Sequence, residues 1–390
     1  MKMKHMLPSF LAAACCLLAL VSCRQEPDSG AGPVAPVDVK VYGKLAAVLG
    51  HESKKLELVD PGSGKVVKSI RLSGKPNGMA IDGNTAYVAE GGPGGVVEVV
   101  ALDTGTVKGA FPAGHTPMSP VVRNGKLYVA ARFDSKIVEM DASSGKVLNS
   151  WPASREPVAL AVSPDGKKIW AANHLPAGAA NGDFTAAALT LVENGKAVHF
   201  PLVNGTQGVR GMAVSPDGRY LAVAHVLSRY QMPTTQLDRG WMNTNAVTIM
   251  DTACPDRPHP VLLDDPDAGA ANPWGVLFSP DGSRLLVTHA GTHELSIIDF
   301  PALLARMKKE DRAGNPVSER LGFLHDIRTR VRLPLNGPRA LASDGENVYV
   351  TGYFSDTLAQ VPLKADAVPR NIPLNAEYRP SRERLGEQSF

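Results

Sequence analysis

The amino-acid sequence predicts an all-β fold: a seven-bladed β-propeller with four-stranded blades and insertions in blades four to six. Three observations carry this. The loop Ser-Pro-Asp-Gly recurs at 163–166, 215–218 and 279–282, with looser forms at Asp82-Gly83-Asn84, Asn124-Gly125-Lys126 and Asp344-Gly345-Glu346. Each lies between apolar runs such as 158–162 and 169–172. Asp-Gly and Asn-Gly between two such runs mark hairpins, because the tight turn needs a positive φ that Gly and Asn tolerate. A second turn motif (60–65, 103–105, 141–146) alternates with the first and joins the third and fourth strands of a unit. Finally, the residues just before each first strand are Pro76, Pro117, Pro157, Val209, Pro273 and Pro338, in steps of 41, 40, 52, 64 and 65. A repeat of about 40 residues with four short strands is the signature of a propeller blade. A first unit over 39–72 makes seven, and the long steps are blades with insertions.

Composition agrees. Of 390 residues, 37 are Gly and 31 Pro, which favours tight turns over long helices, while 44% are hydrophobic, enough for a packed core. The formal net charge of +3 falls to about +1 once Lys2 and Lys4 leave with a leader. Such a balance gives no general hold on nucleic acid.

From the N-terminus, residues 1–22 read as a secretory signal: a basic start of Lys2, Lys4 and His5, then an apolar stretch too short, with Pro8 in it, for a membrane span. It ends Leu20-Val21-Ser22-Cys23, which resembles the box of bacterial lipoproteins and implies lipidation of Cys23; an ordinary cleavage site beside a chance cysteine is the alternative. Lipoproteins of this kind carry several acyl chains, enough for stable anchoring in a membrane. Position 24 is Arg rather than Asp. By resemblance to lipoproteins of two-membraned bacteria, this implies sorting to the outer membrane, facing the periplasm or the cell surface. Residues 23–38 hold Pro27, Gly30, Gly32, Pro33 and Pro36 without apolar periodicity and are expected to be a flexible tether.

Of the four cysteines, Cys15 and Cys16 leave with the signal and Cys23 takes the lipid. Cys254 remains, expected to be structural. One thiol excludes an internal disulfide, a four-cysteine zinc site, an iron–sulfur cluster and covalent haem, which needs Cys-x-x-Cys-His.

The propeller is expected over 39–375 as a monomer. Its closure is assigned to a strand near 37–41, or one near 371–374, pairing with its neighbour and removing the open edge. The runs Leu127-Tyr128-Val129-Ala130-Ala131 and Val348-Tyr349-Val350-Thr351 resemble the repeats of YVTN-type bacterial propellers, which implies the fold for most of 40–365. A narrower resemblance rests on 228–245 together with Asn272-Pro273-Trp274-Gly275, 289–296 and Asn336-Gly337-Pro338-Arg339. These look like propellers fused to, or encoded with, c-type cytochromes of the di-haem peroxidase kind, implying a c-type cytochrome as partner. The tail 376–390 resembles, over 381–390, the first helix of a cytochrome c domain, without any haem-binding motif.

Ligands of a propeller usually sit at one mouth of the central channel. The residues one past the anchors are Asn77, Met118, Val158, Arg210, Trp274 and Arg339, and the second strands end near His51, Glu90, Arg132, His174, His225, His289 and Tyr353. The ligand or partner site is therefore expected at Arg132, His174, Arg210, His225, Trp274, His289 and Arg339. His174, His225 and His289, on consecutive blades, are candidate ligands for copper or zinc. Arg210 and Arg339 are candidate clamps for a carboxylate or a haem propionate. Hydrogen bonds to neighbouring blades and channel water are the alternative use of all these groups.

The insertions 175–183 and 227–245 follow His174 and His225, so both should overhang the same mouth as a lid or docking surface. Tyr230, Met232, Arg239, Trp241 and Met242 are the candidate anchors there. The third insertion, 301–333, is helix-like over 302–309, and its run Arg328, Arg330, Arg332 is expected to be a solvated face. No Gly-x-Ser-x-Gly elbow or His-Glu-x-x-His pair occurs. The function expected is a binding or docking module. The competing function is a small-molecule enzyme of lactonase-like or metal-dependent type, with Glu90 the one obvious carboxylate of the ring.

Overall fold

The computed structural model describes residues 32–231, 242–313, 320–364 and 368–389. Seven sheets of four antiparallel strands are each built from one continuous stretch of chain, innermost strand first. The first strands of neighbouring blades touch all the way round, blade seven to blade one included, and so line the central channel.

The Ser-Pro-Asp-Gly letters each have a task. In blade four Gly166 takes φ 75°. Ser163 Oγ accepts from Lys168 N at 2.9 Å and donates to Asp165 Oδ1 at 2.6 Å. The same hydroxyl–carboxylate brace recurs with Ser215 and Asp217 and with Ser279 and Asp281. The turn is thus locked from inside, and register follows.

Among the described residues the core falls into one cluster in each of the seven gaps between blades, with a small eighth of Leu227, Ala246 and Leu262 on blade five. Leu49 and Leu58 of blade one meet Met79 and Val88 of blade two. Around the ring, Trp170 and Leu189 of blade four meet Met212 and Leu221 of blade five. The seventh gap joins Val39 and Val48 to Tyr349 and Leu358. Each sheet is therefore covered on both faces, which explains why second strands such as Leu45–Gly50 read as unbroken apolar runs rather than alternating ones.

Closure differs from expectation. The strand Pro36–Tyr42 pairs within blade one, and Arg370–Pro373 pairs within blade seven, so among the described residues no strand crosses the seam. The seam is held by the apolar cluster, by Ala35 N donating to Asp356 Oδ1 at 2.8 Å, and by Asn375 Nδ2 donating to Gly32 O at 3.0 Å. The expected tether is correspondingly shorter, since Val34 and Ala35 are already buried.

The third insertion carries helix α1 (Phe300–Ala313), which buries Phe300, Leu303 and Met307 against blades five and six. Of the arginines after it, Arg332 is exposed as expected, but Arg328 and Arg330 are not a solvated face. Arg328 is 4% exposed and paired with Asp265 at 2.5 Å, and Arg330 pairs with Asp265 and Glu294, because Arg328–Arg332 is the outer strand of blade six. Cys254 is exposed in a turn and packs no core. A second helix, α2 (Arg382–Ser389), docks on blade seven. No helix among the described residues is long and apolar enough to cross a membrane. Cys23, Met232, Arg239 and Trp241 lie outside the described residues.

Candidate functional site

In all seven blades the first and second strands lose register near the start of the first strand. A bulge there re-aims one side chain toward the channel. In blades five, six and seven those side chains are Arg210, Trp274 and Arg339. They stack: the guanidinium carbons of Arg210 and Arg339 each lie 4.4 Å from the Trp274 ring centroid. The stack continues through Arg339 over Tyr353 at 3.3 Å and ends with Arg384 of α2, 4.9 Å from the same ring. Three cations and two rings thus alternate across three blades and the last helix.

Small residues make this closeness attainable. A Cβ on Gly211 would sit 2.1 Å from Trp274 O, and one on Gly275 would sit 2.3 Å from Arg339 O. Only glycine lets the backbones of blades five, six and seven come so near. Thr288, fully buried, then bridges blades six and seven: it accepts from Gly275 N at 2.8 Å and donates to Arg339 O at 2.7 Å.

The charges at this mouth are unevenly matched. Arg132 is bound to Glu156, with Nε and Nη2 at 3.2 and 2.8 Å from Oε2. Arg384 is paired with Glu387 at 2.7 Å and lies 3.7 Å from Asp356. Among the described residues no carboxylate pairs with Arg210 or Arg339. Burial lowers the Arg339 guanidinium to about 10, and the charges of Arg210 and Arg384 push the same way. It stays a cation at neutral pH.

The histidines share a structural level but not a site. His289 ends its strand and His225 lies within a longer one, three residues before its end, and both are fully buried. His225 Nε2 meets Thr248 Oγ1 at 2.7 Å, and its Nδ1 is 3.2 Å from Val226 O. His289 Nε2 meets Ser296 Oγ at 2.7 Å, and Nδ1 meets Ala270 O at 3.1 Å. Both ring nitrogens are spent inside one blade. Burial holds His225 at about 4 and His289 at about 3, so both are neutral. Blade four solves the same position with Asn173 and Thr190, 3.1 Å apart.

His174 sits one residue further on and is half-buried. Its Nδ1 meets Val209 O of the next blade at 2.8 Å, as His51 Nδ1 meets Pro76 O. Burial lowers the His174 pKa, and Arg210 and Arg132 push it the same way. Among the described residues no group of three His, Cys, Asp or Glu is placed to hold a metal ion. The copper or zinc cluster of His174, His225 and His289 is therefore not formed. Glu90 is likewise out of the channel: it is 3% exposed, takes a 2.7 Å hydrogen bond from Ser73, and sits beside Glu98.

Around the mouth, Tyr230 stitches the insertions of blades four and five. Its hydroxyl is 3.1 Å from Asp183 O and 2.9 Å from Asn204 Oδ1, while the residue stays 43% exposed. Phe133, beside Arg132, packs edge-on to His115. Tyr353, Arg384 and Glu156 were not singled out in the sequence. The signal for Tyr353 was its place at the end of a second strand; Arg384 lies in the tail, where no repeat fixes its position.

No protein-family model matches the chain. Two streptogramin lyase structures resemble it in fold: virginiamycin B lyase from Staphylococcus aureus, at TM-score 0.61 and 12% identity over 84% of this chain and 95% of that one, and a streptogramin B lyase at 0.56 and 13% over 82% and 91%. A solved structure of Kuenenia stuttgartiensis hydrazine synthase superposes with TM-score 0.76 over 88% of this chain and 99% of that one, at 22% identity. In sequence, the chain is 27% identical over 227 residues to the hydrazine synthase subunit beta of Kuenenia stuttgartiensis; it spans 57% of that relative's length, and the match takes in 57% of its own. The chain is thus a seven-bladed propeller homologous, over that stretch, to a hydrazine synthase beta subunit.

Proposed function

We propose that this chain is an exported, lipid-anchored propeller whose mouth face docks a redox partner of the c-type cytochrome kind, with no chemistry of its own. One observation carries the docking reading. Phe133, Phe184, Tyr230, Met242 and Leu385, all large and exposed, lie at the end of the molecule that holds the second-to-third-strand loops and α2. The other exposed large apolar residues described are Val67, Val107, Val147, Leu148 and Val198 on outermost strands, and Val368 in a loop. Aromatic, Met and Arg side chains together are what interfaces draw on. Kinship with a protein named as a subunit fits membership of an assembly. The cytochrome identity rests on the resemblance of the 228–245 segment and its companions, and the anchor rests on Cys23.

Tagged protein recovered from its own cells should bring down a haem-staining partner. The double variant Phe133→Ser/Phe184→Ser, which touches only exposed side chains, should cut that recovery at least tenfold. A partner retained undiminished refutes docking through this face. Mass spectrometry of the N-terminal peptide should find Cys23 diacylated or triacylated; an unmodified peptide removes the anchor.

A further inference from the structure

The Arg210–Trp274–Arg339 stack has more specificity built into it than a general positive patch. An arginine lying face-on to an aromatic ring spends its π face there and keeps its in-plane N–H edge for ligands. Arg210 and Arg339 reach Trp274 from the blades on either side of it, so their edges are held apart by the ring. Each guanidinium carbon is 4.4 Å from the centroid, so the two are at most about 9 Å apart. Gly211, Gly275 and Thr288 fix the three backbones. On the far side, Tyr353 is clamped between Arg339 and Arg384, which stops Arg339 swinging away. Neither guanidinium edge meets a carboxylate among the described residues, Arg339 having only the Tyr353 side chain as hydrogen-bond partner there, whereas Arg132 and Arg384 close by have theirs. The remaining mouth positions on blades two to four are Asn77, Met118 and Val158, which carry no charge.

From this geometry we propose that the mouth is a preformed receptor for two carboxylates, one on each side of Trp274, supplied by a pair of acidic side chains on the docking partner. The inference rests on the docking reading and deepens it. Acidic residues at i and i+2 of an extended segment lie about 7 Å apart along one face, within the upper limit of about 9 Å on the separation of the two guanidinium carbons. Each carboxylate then takes a bidentate pair of N–H donors from its own arginine.

The test uses the purified propeller, blocked peptides of the form Gly-Asp-Ala-Asp-Gly and Gly-Asp-Ala-Asn-Gly, and glutarate, by calorimetry at constant ionic strength. The two-carboxylate peptide should bind at least tenfold tighter than the one-carboxylate peptide. That advantage should vanish in Arg210→Gln and in Arg339→Gln, with thermal melts confirming that both variants fold. Equal affinities for the two peptides, or an advantage that survives both variants, overturns the proposal. Glutarate binding as tightly as the peptide makes the site one for a free dicarboxylate and overturns the assignment to a partner. The two readings fail separately. Recovery of the haem-staining partner that depends on Phe133 and Phe184 but not on Arg210 or Arg339 keeps docking and removes the carboxylate pair.

Discussion

Gly275→Ala is the substitution that bears most directly on how the stack is assembled. The added Cβ would lie 2.3 Å from Arg339 O, 2.5 Å from Leu341 Cδ2 and 3.1 Å from Thr288 Oγ1. The nearest of these is a backbone carbonyl that no rotamer change can relieve, so blade seven must move by about 1 Å to reach normal contact. Overpacking of that kind costs about 1–3 kcal/mol. The shift also pulls Arg339 O from the Thr288 hydroxyl, now 2.7 Å away, adding about 1 kcal/mol for a buried hydrogen bond loosened. Urea denaturation followed by circular dichroism should therefore show a loss of about 2–4 kcal/mol. Gly109→Ala is the control: it lies on an outer strand, and its Cβ would meet nothing within 4 Å. If Gly275→Ala unfolds within about 0.5 kcal/mol of that control, close approach of the blades is not what requires glycine here.

Other outcomes follow from the buried polar pairs and the seam. His225 and His289 have folded pKa values of about 4 and about 3, below the ordinary 6.5, so the unfolded chain binds protons first as pH falls below 6.5. Stability should drop through that range by about 2 kcal/mol per histidine at pH 5, and His289→Asn, copying blade four, should flatten the pH profile of the melting midpoint. Glu98 works in the opposite sense. Burial, then Glu90, raises it from 4.5 to about 7, so the folded state holds the extra proton, and stability falls as pH rises from 4.5 to 7. Glu98→Gln should gain about 1–3 kcal/mol at pH 8 relative to wild type and nothing at pH 4, by denaturant titration at both pH values. Asp356→Ala removes the acceptor of Ala35 N and a neighbour of buried Arg384, and should cost about 2–4 kcal/mol in the same assay.

Much of the fold was legible because turn chemistry is local. A Ser, an Asp and a Gly at fixed offsets can satisfy one another without help from distant residues, so the blade period was readable from the chain alone. Closure was not, because the choice between a shared strand and a packed seam depends on how Val39, Val48, Tyr349 and Leu358 meet at the two ends of the sequence. The histidines mark the same boundary. Their level along the second strand was correct, yet one residue decides their fate: His225 and His289 bond a hydroxyl of the adjacent third strand, whereas His51 and His174 lie one step past their strand ends and reach the next blade. That alternation has a period of two, and a register reading accurate to one residue cannot settle it. Arg210, Trp274 and Arg339 were found because all three follow an anchor. Their stacking was not, since it depends on inter-blade distances that Gly211 and Gly275 set.

The seam has a mechanical consequence for the mouth. A ring clasped by a shared strand resists widening with a ladder of hydrogen bonds, whereas a butt joint of side chains yields to a small tilt between its two halves. In this ring the joint between blades one and seven is where the circumference can change, and Asp356, which fastens it, also neighbours Arg384 at the end of the stack. The seam and the last cation of the stack thereby share one carboxylate. A load placed on the mouth is felt at the joint, and a loosened joint is felt at the mouth.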